Sequence, residues 1–159
     1  MKKTILLTTL IAGSLDILAA FIQSYVLRGV MPSTVLKYIA SGIFGSTAYS
    51  GGIDMIAMGL LIHYTIAFSC TACFFWLYPK WHFLKKSIIV NSILIAVIAW
   101  IVPTQIAVPL SNIEQGTFDI YNAFKAVVIL TFCIGLPISY SAKHYFKKQS
   151  KSTTNNKRW

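Results

Sequence analysis

Four long apolar runs constrain this chain more than any other feature of its sequence. They cover residues 4–27, 55–78, 87–110 and 120–142. A helix rises 1.5 Å per residue, so about 20 apolar residues cross the roughly 30 Å hydrocarbon core of a bilayer. Only 11% of the residues are charged, whereas soluble domains have about a quarter. The sequence therefore predicts an all-α fold, an integral membrane four-helix bundle.

The positive charges predict how the bundle is oriented. Eleven of the fourteen Lys and Arg residues flank the apolar runs on one side, at Lys2, Lys3, Lys80, Lys85, Lys86 and six positions between Lys143 and Arg158. The segments on the other side, 28–54 and 111–119, contain only Arg28 and Lys37. Because cytoplasmic loops are rich in Lys and Arg, both termini are expected in the cytoplasm. The first run is then an uncleaved signal anchor.

The distribution of these charges also predicts which partners the chain binds. The basic stretches lack the interleaved aromatic residues and the fold signatures of nucleic-acid modules, so no nucleic-acid partner is expected. Membrane lipids, including anionic headgroups at the cytoplasmic face, are the expected partners. Residues 1–149 are predicted to form the transmembrane domain, and the Ser-, Thr-, Asn- and Lys-rich residues 150–159 a basic, disordered cytoplasmic tail.

Residues 28–54 form the one substantial loop, on the extracytoplasmic side. Ser33 is predicted to cap a short helix over 34–43, which would lie at the outer surface or enter the bundle as a re-entrant segment. After this helix, glycine and serine residues that permit tight backbone turns follow in the loop. The loop is either a packed cap or a ligand-contacting site, whose candidate residues are Ser41, Gly42, Gly45, Gly51 and Gly52.

Asp16 is the most informative polar residue inside an apolar run, because an ionisable group in hydrocarbon costs about 2.5–3.5 kcal/mol on insertion scales. Thr9, Asp16 and Gln23 recur every seven residues and lie on one helix face with small residues, which is the type of face that packs against other helices. Asp16 is either a structural hydrogen-bonding group or a carboxylate that carries protons or cations in a polar cavity.

His63 is the best-placed partner for Asp16, because their predicted depths differ by about one helical turn. A His–carboxylate pair near the midplane relays protons in some membrane proteins, whereas a lone His often serves only as an interhelical donor. Asn91 and Gln105, two heptads apart on the third run, are predicted to line the same interior.

Catalytic and metal-binding motifs are missing from the sequence. It contains no G-x-S-x-G, H-E-x-x-H or P-loop motif, and only four Asp and Glu residues. Cys70 and Cys73 form a C-x-x-C pair, but they lie in the cytoplasmic half of an apolar run without a neighbouring cation, so structural thiols are predicted. The sequence predicts no enzyme, no cofactor and no metal site.

Several motifs resemble those of the YagU-like group of bacterial inner-membrane proteins. They are KYIASGIFG at 37–45, Ala48, Gly51–Gly52, GLLIH at 59–63, Phe68–Ser69, YPK at 78–80, VPLS at 108–111 and GLPIS at 135–139. The likeness extends to about residue 142. It implies a multi-pass protein of the bacterial inner membrane and implies no particular activity.

Two function classes are compatible with these features. The first is a small accessory or scaffold protein that packs against lipid or a partner membrane subunit. The second is a minimal transporter or channel with Asp16 and His63 in a polar intramembrane route. Because four helices enclose little volume, a conducting role predicts a homo-oligomer.

Overall fold

A computed structural model describes residues 1–101 and 120–156, with side chains up to residue 150. Both described ranges are helical and contain no strand. The elements in chain order are α1 (Lys2–Arg28), α2 (Pro32–Phe44), α3 (Thr47–Ser50), α4 (Ile53–Leu77), a 3₁₀ turn (His82–Lys85), α5 (Ile88–Ile101), α6 (Ile120–Leu130), a π-helical turn (Thr131–Gly135) and α7 (Leu136–Asn156).

Three helices are long and apolar enough to cross a membrane: α1, α4 and the continuous helix formed by α6, the π turn and α7. This finding confirms that the chain is a membrane-embedded protein. The third predicted span is represented by α5, which is apolar but has only 14 described residues. Its predicted remainder, with Gln105, lies outside the described residues, so the four-span bundle stays a prediction.

The helices bury small and polar side chains and leave large apolar ones exposed. Ala12 and Gly13 of α1 are buried together with Thr8 and Thr9. On its outer face Leu7 is 61% exposed. A water-soluble helix has the opposite arrangement. Small residues at the helix contacts and an apolar exterior are what a hydrocarbon environment requires.

One end of the bundle contains a cluster of aromatic and aliphatic side chains. The ring of Tyr78, just after α4, stacks on Phe146 of α7 with centroids 5.3 Å apart. The same cluster contains Ile5 of α1 and Leu84 of the 3₁₀ turn. The start of α1, the end of α4 and the middle of α7 therefore meet here. We call it the basic end, because these segments carry the clustered Lys and Arg residues.

Two glycines allow backbones to touch. A Cβ atom at Gly59 of α4 would overlap the backbone carbonyl of Leu36 in α2, and one at Gly135 in the π turn would overlap the carbonyl of Ser92 in α5. Gly59 is six residues into α4, so α2 packs along the outer part of α4 instead of lying apart from the bundle.

The loop helix differs from its prediction at the start. It begins at Pro32, after the N-cap Met31, so Ser33 lies inside the helix and does not cap it. Proline suits the first helical position because its φ angle is helical and its missing N–H would have no intrahelical partner there.

The C-terminal helix also runs further than predicted. The backbone is helical through Asn156, so most of the tail expected to be disordered from residue 150 is helical. Residues 143–156 contain neither Gly nor Pro, so no residue there terminates the helix that leaves the bundle.

Candidate functional site

Asp16 and His63 lie side by side between α1 and α4. His63 Nδ1 is 4.0 Å from Asp16 Oδ2, and the two side chains are 11% and 22% exposed for His63 and Asp16, respectively. On its other side, His63 Nε2 lies 2.9 Å from the carbonyl oxygen of Gly13. The imidazole thus spans one turn of α1, between the residue 13 backbone and the residue 16 carboxyl.

The Gly13 contact determines which ring nitrogen carries a proton. A carbonyl oxygen only accepts hydrogen bonds, so His63 Nε2 must donate. Nδ1, which faces Asp16, is then bare in the neutral ring and protonated in the imidazolium. A bare Nδ1 beside an ionised carboxylate would place lone pairs against negative charge. The contact is therefore favourable when one proton is bound either to the Asp16 carboxyl or to His63 Nδ1.

A second polar contact lies next to the pair. The hydroxyls of Ser14 and Tyr64 are 2.7 Å apart and join α1 to α4 again. The Tyr64 ring also lies against Gly13, where an added Cβ would be 3.0 Å from Tyr64 Cε1. Together these contacts hold the two helices in one rotation about their axes, so that Asp16 faces His63 and not lipid.

The π turn of the C-terminal helix packs against α1. Pro137, two residues after the end of the π turn, has no N–H to continue regular helical bonding. Single π turns often occur at functional sites. The pair thus lies between α1 and α4, and the π turn packs against α1.

The other predicted polar residues lie away from this pair. Gln23 is half-buried seven residues along α1, which is about 10 Å from Asp16. Asn91 is buried, and its Nδ2 donates to the Leu84 carbonyl at the basic end. Gln105 lies outside the described residues. The structure therefore brings together Asp16 and His63 from the predicted set.

The candidate loop residues occupy turns and helix ends. Ser41 is buried, and its hydroxyl donates to the Tyr38 carbonyl. Gly45 ends α2 with a φ of 64°, in the left-handed region. Gly42 lies within α2, whereas Gly51 and Gly52 connect α3 to α4. Ser41 is buried whereas Gly42 and Gly52 are exposed, so the packed cap and the ligand-contacting loop both stay predictions.

Ser139 is a buried polar residue that was not predicted from the sequence as a site residue. Its hydroxyl is buried in α7 without a hydrogen-bond partner among the described residues, as are Thr9 Oγ1 and Asn91 Oδ1. At the basic end a pocket of about 510 Å³ lies between α1 and α7, lined by Thr4, Tyr140, Ser141, His144, Tyr145, Lys148 and Gln149. A polar residue at the end of GLPIS was visible in the sequence, but its burial depends on how α7 is rotated.

The three cysteines, Cys70, Cys73 and Cys133, are free thiols. Within residues 1–101 and 120–156, no group of three or more His, Cys, Asp or Glu side chains could hold a metal ion. A carboxyl and an imidazole side by side are groups that can bind and exchange protons.

Comparison of the chain with protein-family models, curated proteins and solved structures gives no match.

Proposed function

We propose that this chain is a small multi-pass protein of the bacterial inner membrane that binds and moves protons through Asp16 and His63, as a minimal oligomeric transporter or channel. One observation carries the proposal: the imidazole is held by the Gly13 carbonyl with its other nitrogen turned to the Asp16 carboxyl. The resemblance to YagU-like proteins and the basic end support the location, with both termini cytoplasmic.

The reason to favour a functional pair is energetic. A carboxyl group is costly in the middle of a membrane, and a neutral amide would join two helices at lower cost. Ser14 and Tyr64 already provide a hydrogen bond between the same two helices at this level. The interface does not need a titratable pair to hold together, so we infer that titration is what Asp16 and His63 contribute.

Proton flux in liposomes tests the proposal. The full chain is reconstituted, and a pH gradient is imposed across vesicles that contain a pH-sensitive dye, with and without common metabolites as co-substrates. We expect flux above that of empty vesicles, and its loss in Asp16→Asn, because an amide cannot titrate. Asp54→Asn is the matched control, since it makes the same chemical change at an exposed acid in the first turn of α4.

Flux equal to that of empty vesicles, or flux unchanged by Asp16→Asn, would contradict the proposal. The first result would favour the second candidate, an accessory or scaffold protein. That candidate is supported by the apolar exterior, including α6, of which no residue is buried. Such a surface packs against lipid or against a partner membrane subunit.

A further inference from the structure

We propose that the pocket at the basic end binds the headgroup of one anionic phospholipid, whose phosphate is held by hydroxyl groups of the lining and by the Lys148 ammonium. This inference goes beyond the proposed movement of protons and does not depend on it. Three observations carry it: the side chains that line the pocket, the level of the pocket in the membrane, and the charge around it.

The pocket lies between one face of α7 and the start of α1. Ser141, Tyr145 and Lys148 all line it, and their spacings of four and three residues place them on the same side of α7. Thr4 lines the pocket from α1. Its volume of about 510 Å³ is in the usual range of small-molecule sites, about 300–1,000 Å³. The occupant is therefore larger than a single free ion.

Ring contacts hold two of the lining side chains in place. The Tyr145 ring lies 6.2 Å from the Phe75 ring of α4 and meets the Phe146 ring edge-on at 5.1 Å, so it is anchored to the aromatic cluster. Elsewhere in the lining, the His144 ring stacks on Tyr140 with centroids 6.2 Å apart. Because these rings are already packed, a ligand does not have to order them when it binds.

The pocket lies at the level of the membrane surface. Tyr145 contacts Phe75, two residues before α4 ends at Leu77. Trp76, next to Phe75, is 59% exposed, and Lys80 Nζ lies 3.3 Å from the centroid of its ring. Exposed tryptophans are typical of the boundary between hydrocarbon and headgroups, and lysines of its cytoplasmic side. The molecules that reach a pocket at this level are membrane lipids.

The lining has the donors that a lipid phosphate needs. Phosphate oxygens accept hydrogen bonds, and the Ser141 and Tyr145 hydroxyls and the Lys148 ammonium can donate them. A contact between an ammonium and a phosphate is charge-assisted and stronger than a neutral hydrogen bond. Lys148 lies seven residues beyond Ser141, which is about 10 Å along α7. That length is similar to the thickness of a headgroup layer, about 5–8 Å on each side of the hydrocarbon.

The charge around the pocket favours an anionic lipid. Lys2 and Lys3, which precede Thr4, are exposed and add to the positive charge of the lining. The acids of the described residues lie elsewhere: Asp16 is 12 residues from Thr4, about 18 Å along α1, and Asp54 is in the first turn of α4, at the end opposite to Phe75. A positive surface without nearby carboxylates attracts a headgroup with a net negative charge.

Mass spectrometry of intact protein–lipid complexes tests the proposal. The full chain is purified in detergent and titrated with phosphatidylglycerol, phosphatidylethanolamine or phosphatidylcholine that have identical acyl chains, at an ionic strength that screens distant charges. We expect one molecule of phosphatidylglycerol to bind about fivefold or more tightly than either zwitterionic lipid, because only its phosphate charge is uncompensated. This comparison needs no variant.

Variants then locate the lipid. Lys148→Gln removes the ammonium, and we expect it to weaken phosphatidylglycerol binding by about fivefold or more. Lys147→Gln is the matched control, because Lys147 is exposed, does not line the pocket and is turned roughly 100° from Lys148 around the helix axis. Ser141→Phe fills the pocket without changing the net charge and should weaken binding to a similar extent. Melting temperatures show whether each variant is folded.

Several results would overturn the site. Equal affinity for the three lipids, or equal losses in Lys148→Gln and Lys147→Gln, would show a general attraction between charges and no specific pocket. Full affinity in folded Ser141→Phe would place the lipid elsewhere on the protein. Inorganic phosphate and glycerol 3-phosphate, each added in large excess, complete the test. We expect the lipid to stay bound, and its displacement by either anion would identify a water-soluble phosphate as the ligand instead of a lipid.

Discussion

At the scale of single residues, Gly59 tests how α2 is held to the bundle. Its missing side chain lets α4 touch the Leu36 backbone, and a backbone cannot move aside as a flexible side chain can. Gly59→Ala should destabilise the protein by about 1–3 kcal/mol, the usual cost of overpacking a close contact. Thermal unfolding in detergent measures this.

Gly42→Ala is the matched control for that substitution. Gly42 lies within α2, and an added Cβ there would meet nothing within 4 Å. Because alanine favours helix by up to about 1 kcal/mol over glycine, this variant should be as stable as the unaltered protein or slightly more stable. Equal losses at both positions would show that α2 is not packed on α4 as described.

At the scale of helices, the sequence predicts much of the candidate site. Asp16 and His63 could be paired from depth alone, because hydrophobic runs of similar length place their middles at similar levels. The hydrogen bond between Ser14 and Tyr64 could not be predicted from depth, since it depends on the rotation of each helix about its axis. That rotation is determined by contacts such as Tyr64 against Gly13, which no periodicity in one helix reveals.

Helix ends were harder to predict than helix centres. Ser33 was predicted to cap α2, yet the helix starts at Pro32, because proline suits the first turn of a helix. In the C-terminal helix, composition suggested disorder after residue 150, although nothing in residues 143–156 interrupts a helix. Polar composition indicates solvent exposure more directly than it indicates backbone conformation.

At the scale of the whole molecule, the span count determines the topology. With four spans, a reporter fused after Trp159 should be cytoplasmic and one inserted near Asn112 should be external, because positive residues stay on the cytoplasmic side. Reporters whose activity depends on the compartment measure both positions. Detection of both on the same side would mean that the number of spans between them is not one.

The central claim is that Asp16 and His63 hold one proton between them, with His63 Nε2 donating to Gly13. Nitrogen-15 NMR of the imidazole in lipid bilayers measures it most directly, with the His63 signal identified by its loss in His63→Gln. We predict that Nε2 is protonated at every pH at which the protein is folded. Near neutral pH, either Nδ1 or the Asp16 carboxyl, followed by its carbon-13 shift, should carry a proton. An unprotonated Nε2, or a bare Nδ1 beside an ionised Asp16 at neutral pH, would contradict the account.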